Sequence, residues 1–104
     1  MQFQLLLSQA RAIRKKYAQW EETHLGQTWT KTQLVEGLVV DVGDLMKLVQ
    51  AKEGLRDIKH VDEKLAHELI DCLWSVMVIA DAYGVDLEKA FVREMDALEE
   101  KLSA

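Results

Sequence analysis

The sequence predicts an all-α protein, a four-helix bundle that assembles into an oligomer. Three observations carry that expectation. The 104-residue chain has no proline, and its few glycines fall mostly where helices would end. Apolar residues make up 49% of the chain and recur at steps of three and four along four long stretches. Two of those stretches are apolar on more than one side, which is more surface than a single bundle of this length covers.

The first helix spans residues 2–22. Phe3, Leu6, Ala10, Ile13, Tyr17 and Trp20 form its apolar stripe, opposite Gln9, Arg11, Lys15, Lys16 and Gln19. Residues 23–29 read as a polar loop broken by Gly26. The second helix begins at Thr30, which forms a capping box with Gln33, and runs to about Glu53 before Gly54 stops it. Residues 55–60 are a short connection. Asp62 is the expected N-cap of the third helix, which ends at Tyr83 with Gly84 beyond. Asp86 caps the fourth, whose apolar face is Leu87, Phe91, Met95, Leu98 and Leu102. No linker or repeat interrupts the chain, so residues 1–104 are read as one domain.

Composition narrows the function. A net charge of −5 leaves no basic stripe to replace phosphate counterions, so nucleic acid is not an expected partner. No apolar run approaches the roughly 20 residues of a membrane span, so no membrane association is expected. The first residues lack the basic and small-residue features of a signal peptide. A single cysteine, Cys72, cannot form an internal disulfide, and a reducing cytoplasm is the expected location.

The central stretch is Leu34–Val49, LVEGLVVDVGDLMKLV. Leu34, Leu38, Asp41, Leu45 and Leu48 share one helical stripe, which puts Asp41 in the middle of a leucine row. Asp44 follows at i+3. HELIDCLWSVMVIA repeats the device. Glu68 lies on the stripe Val61, Leu65, Glu68, Cys72, Val76, Ile79, with Asp71 at i+3. Isolated acid pairs usually face water. Set into apolar surface, a carboxylate is costly unless paired or coordinating. Two of them about 5 Å apart repel by roughly 3 kcal/mol at an effective dielectric of 20. Four together need shared protons, a lysine such as Lys47, Lys52 or Lys64, or a divalent metal. An all-oxygen donor set favours Mg²⁺ or Mn²⁺ over Zn²⁺, and Mg²⁺ points to a phosphate-bearing substrate.

VVDVGDL, then HELIDCLW, then YGVDLEKAF, resembles the MazG-like all-α nucleoside triphosphate pyrophosphohydrolases over about residues 28–95. Their signature is E-E-x-x-E, a spacer, then E-x-x-D. Asp41 and Asp44 match the second and third acids of the first block, and Glu68 and Asp71 match the second block. The resemblance implies a homodimer or homotetramer, Mg²⁺ held by these four residues, and hydrolysis of an NTP or dNTP to the monophosphate and pyrophosphate, as in house-cleaning or nucleotide-pool control. Val40 stands at the motif's first glutamate, which leaves the general base unassigned. Glu94 and Leu98 stand where the family often carries a phosphate-binding Lys and Asn, and Arg93, Lys47, Lys52 or Arg56 are the candidates to replace them. Trp29 is a candidate base-stacking residue or a packing residue ahead of the capped helix. The alternatives are a pyrophosphohydrolase for another triphosphate such as phosphoribosyl-ATP, and a helical homo-oligomer without turnover that binds nucleotides or acts as a scaffold.

Trp74 reads as core or interface, His67 as a surface or second-layer residue, and Cys72 as a small buried hydrophobe. His24 and His60 carry no spacing signal. Ser75 has no histidine base at a telling position, so nucleophilic catalysis is not expected.

Overall fold

The computed structural model describes residues 2–103; residues 1 and 104, which the single-domain reading included, lie outside that span. The chain forms four helices, α1 (Phe3–Leu25), α2 (Lys31–Lys52), α3 (Val61–Ala82) and α4 (Leu87–Ser103), with no strand among the described residues. None of these helices is long and apolar enough to cross a membrane.

The helix starts and stops follow local chemistry. Thr30 Oγ1 accepts from the Gln33 backbone N–H at 3.2 Å, and Gln33 Oε1 accepts from Thr30 N–H at 2.9 Å, so the expected capping box is formed. Asp86 Oδ1 accepts from Lys89 N–H at 3.1 Å and starts α4 as expected. Two boundaries differ from the sequence reading. α1 continues three residues past 22 and ends against Gly26, whose φ of 77° few side chains tolerate. α3 begins at Val61 after His60, which takes the left-handed conformation and makes no side-chain cap. Asp62 is therefore not the cap. It lies in the first turn, where the helix dipole favours an acid, and its carboxylate pairs with Lys52 at 2.6 Å.

α2 and α3 form an antiparallel hairpin. Lys52 meets Asp62 at one end, and Asp41 meets Ser75 further along. Along α3 the inward row is Val61, Leu65, Glu68, Cys72, Ser75 and Ile79. Ser75 is buried, whereas the expected Val76 is 40% exposed. A hydroxyl fits that inward place because it can donate to Asp41. The second apolar side of α3 is covered by α1. Met77 packs with Leu7 and Ala10, flanked by Phe3, Trp74 and Leu87. Trp74 Nε1 donates to the Ala10 carbonyl at 3.2 Å, and the Tyr17 and Trp74 rings meet at 5.7 Å.

α1 does not face inward along the stripe expected of it. Its sheltered positions are Phe3, Leu7, Ala10, Arg14, Ala18 and Glu21, while Leu6, Ile13, Tyr17 and Trp20 are exposed. The second side of α2 (Val35, Val39, Val42, Met46, Val49) is also open to solvent. The result is an extended chain. Its Cα radius of gyration is 16.7 Å; about 13 Å is usual for a compact domain of this length.

Candidate acidic metal centre

The α2–α3 hairpin carries the acids. On α2, Asp41 and Asp44 share the side turned toward α3. The antiparallel pairing brings Glu68 opposite them. One oxygen from each of the three lies within 4.8 Å of the others, and all three residues are partly buried. Leu48 is buried beyond Asp44 along α2. Near Asp41, the Ser75 hydroxyl donates to Asp41 Oδ2 at 3.5 Å.

Glu68 is the strained member. Its Oε1 is buried and has no hydrogen-bond partner. Burial raises its pKa above the ordinary carboxylate range, and the negative charges of Asp41, Asp71 and Asp44 raise it further. Cys72 feels the same field. Burial pushes its thiol upward, assisted by Asp41, Glu68 and Asp71, so it is an unreactive thiol beside the acids.

Asp71, expected as the fourth ligand, does not join the three. Its Oδ2 lies 3.2 Å from Nε2 of His67, one turn earlier on α3. His67 is thus a surface residue that touches an acid of the motif, in line with its reading as second-layer. Val40, at the motif's first acid position, is 63% exposed.

Of the expected phosphate-binding cations, Arg93 lies exposed on α4, and the other three separate into two groups. Lys47 stays with the acids, its Nζ 3.9 Å from Asp44 Oδ1. It lines an open cleft of about 370 Å³ that runs past the cluster between Asp44, Leu48, Ile58, Glu63, Lys64, His67 and Glu68. Lys52 and Arg56 are held elsewhere. Lys52 is bound to Asp62, and Arg56 Nε donates to Gln50 Oε1 at 2.6 Å. Local partners at the end of the hairpin capture both. Lys64, four residues before Glu68, is the cation that the structure places on the cleft in their stead.

Trp29 is fixed from two sides. Its backbone N–H donates to Glu21 Oε1 at 2.8 Å, and its ring lies so close to Gly37 that a Cβ there would sit 3.1 Å from Cζ3. Gly37 is one turn before Asp41 on α2, so the indole packs against the stripe that leads to the acids. The residue that holds it was not legible as functional. Glu21 is buried on α1 and takes a two-pronged ion pair from Arg14 at 2.8 and 3.0 Å. The Arg14 bond, the Trp29 N–H and the Arg14 charge together hold its carboxyl below the usual range despite burial. The only sequence trace is the spacing of Arg14 and Glu21 by two turns on one side of the helix.

Compared with known protein families, with curated proteins and with solved structures, the chain matches none.

Proposed function

We propose that the chain is a Mg²⁺-dependent nucleotide pyrophosphohydrolase of the MazG-like type, cleaving an NTP or dNTP to the monophosphate and pyrophosphate. One observation carries the reading: Glu68, which has a buried carboxylate oxygen without a partner, also has an oxygen within 4.8 Å of two further carboxylates. No lysine or arginine forms an ion pair with Glu68 among the described residues; Lys47 reaches only Asp44, at the edge of the group. A hard divalent cation suits such a set, being satisfied by oxygen donors and by water. Asp41, Asp44 and Glu68 would hold it, with Asp71 as the fourth acid of the motif. Mg²⁺ or Mn²⁺, when bound, supplies positive charge for phosphate oxygens and lowers the pKa of bound water.

The chain's own residues have separate tasks in this reading. Lys47 and Lys64 line the cleft beside the acids and offset the charge of a phosphate chain. Trp29 offers a flat apolar ring one turn from Asp41, suited to a planar base. Ser75 orients Asp41 by donating to it, which leaves the other carboxylate oxygen for a ligand.

A second reading, a nucleotide-binding or scaffold protein without turnover, is favoured by two features. Val40 stands exposed where the motif's first acid belongs, and Lys52 and Arg56 are committed to other partners. One assay separates the two. Pyrophosphate release is measured across a panel of NTPs and dNTPs with Mg²⁺, for the parent, Asp44→Asn and Glu68→Gln. The enzymatic reading expects release by the parent and a loss of about a hundredfold or more in each variant. Equal rates in all three would sink it. Saturable Mg²⁺-dependent nucleotide binding without release would leave the second reading standing.

A further inference from the structure

Among the described residues Glu21 is the buried charged group, at 5% exposure, and it lies on α1, not on the hairpin that carries the acids. Burying a carboxylate with its arginine is rarely the most stable choice, since apolar residues of like volume do as well or better. An apolar pair could not accept a hydrogen bond. Glu21 Oε1 takes the Trp29 N–H at 2.8 Å, and Arg14 holds both carboxylate oxygens, so the acceptor is kept in place. The next residues are anchored as well. Thr30 N–H donates to Gln33 Oε1 at 2.9 Å, and Lys31 Nζ stands 4.9 Å from the centre of the Tyr83 ring. Three successive residues are thus tied to α1, to α2 and to the end of α3.

The ring on this backbone is only partly covered. One edge rests against Gly37, and Trp29 as a whole is 43% exposed. Along α2 the order is then set: the ring at Gly37, Asp41 one turn on, then Asp44, then Lys47 beside it. Each step is close to one helical turn, about 5 Å along the axis. A flat apolar ring, carboxylates and a cation in file match the order of a nucleotide from its base to its outer phosphates.

We infer that Glu21 is a positioning residue for the nucleobase. Through the Trp29 N–H it sets where the indole stands, and Arg14 holds it in that role. It acts through Trp29 and touches neither substrate nor metal. The inference rests on the nucleotide reading above and names the part of the substrate concerned, the base and not the phosphates.

Calorimetry with Mg²⁺ and two kinds of probe tests it. One is the non-hydrolysable α,β-imido analogues of the common dNTPs. The other is inorganic tripolyphosphate, which has the phosphates and no base. Glu21→Gln is expected to weaken the analogue the parent holds best by about tenfold, less than the roughly hundredfold that a misplacement of about 1 Å can cost. Tripolyphosphate affinity should stay the same, which a general loosening of the fold would not allow. Equal weakening of both probes, or of neither, overturns the inference while nucleotide binding stands. A parent that holds no analogue more tightly than tripolyphosphate also overturns it, and one that binds no analogue at all takes the nucleotide reading with it. Should Glu21→Gln not fold, the parent alone decides. Coupling is reciprocal, so a base seated on the ring tightens the hold of Glu21 on the Trp29 N–H, and exchange of that amide should slow by about tenfold with the analogue. Tripolyphosphate should leave it unchanged. Slowing by both probes, or by neither, overturns the inference.

Discussion

Glu21 and Glu68 are the same residue type, each turned away from solvent on a long helix, and they behave in opposite ways. Glu21 is fully answered. Arg14 grips both of its oxygens and Trp29 adds a backbone N–H, so its pKa falls. Glu68 has one oxygen with no partner, and burial first, then the charges of Asp41, Asp71 and Asp44, raise its pKa. The contrast teaches that partial burial of a carboxylate says nothing by itself about its role. A satisfied carboxylate is a fastening within the fold. An unsatisfied one among like charges lowers stability, which is a mark to look for in a ligand site.

The largest effect should come from removing the fastening. Arg14 and Glu21 side chains are 18% and 7% exposed, and breaking a pair that sheltered strands a charge, at a cost of about 3–5 kcal/mol. Glu21→Ala is therefore expected to lower the thermal midpoint by about 15 °C or more. An Arg14→Ala/Glu21→Ala double variant should lose clearly less than the two single losses added together. Calorimetry or urea unfolding of the three variants checks this. A Glu21→Ala loss below about 1 kcal/mol would place Glu21 with ordinary surface acids and dissolve the contrast.

These two carboxylates were not equally legible in the sequence. Glu68 was read as turned inward because an acid on a leucine-type stripe contradicts its surroundings, and that contradiction is visible in the letters. The same arithmetic placed Asp41 and Asp44, though it could not say which helix would face them. Glu21 lies outside the apolar stripe of α1 and looked like an ordinary solvated acid. The stripe itself misled: Leu6, Ile13, Tyr17 and Trp20 are the more hydrophobic side, yet they are exposed in the single chain. Periodicity reports that a side must be covered, not by which chain. Helix ends were readable where the signal was chemical, at Thr30, Gly54, Gly84 and Asp86. Two were missed: the end of α1, where Gly26 was read as a break in a loop and not as the cap, and the start of α3, where Asp62 pairs with Lys52 instead of capping. Asp71 was grouped with the ligands by its spacing and by its match to the family motif, and neither shows that His67, one turn away, lies against it.

A smaller effect, of opposite sign, is expected at Glu68. Two full charges within 4.8 Å of each other repel by about 3 kcal/mol or more at an effective dielectric of 20, and proton sharing relieves part of that. In metal-free protein Glu68→Gln should raise stability by about 1–2 kcal/mol at neutral pH. The pH profiles give the signs separately. Glu21, with its pKa lowered in the fold, contributes stability above its unfolded value, which is lost as pH falls through the folded one. Glu68, with its pKa raised, contributes stability below its unfolded value, which is lost as pH rises through the folded one. Metal-free parent should therefore be most stable between the two, and Glu68→Gln should remove the decline on the higher side only. Added Mg²⁺ or Mn²⁺ should raise the parent's midpoint and leave that of Glu68→Gln nearly unchanged. A Glu68→Gln variant less stable than metal-free parent would show the carboxylate to be satisfied after all.

The smallest effect probes the link between the two carboxylates, which runs through Trp29. Its N–H is bonded to Glu21, and its ring rests on Gly37, one turn from Asp41. Gly37→Ala gains about 1 kcal/mol of helix propensity. It also places a methyl 3.1 Å from the ring edge, so the indole must give by a few tenths of an ångström. The two changes should nearly cancel, leaving stability within about 0.5 kcal/mol of the parent. Hydrogen exchange at the Trp29 amide is the sensitive readout. It should be slow in the parent, somewhat faster in Gly37→Ala, and fastest in Glu21→Gln, where the accepting charge is gone. Mg²⁺ affinity, measured by calorimetry, should be the same in the parent and Gly37→Ala, because the ring contacts the helix and not the acids. Equal amide exchange in all three proteins would mean that the loop is held by something other than Glu21. Weakened Mg²⁺ binding in Gly37→Ala would mean that the seating of Trp29 and the acid cluster are coupled, and the two carboxylates would then belong to one device.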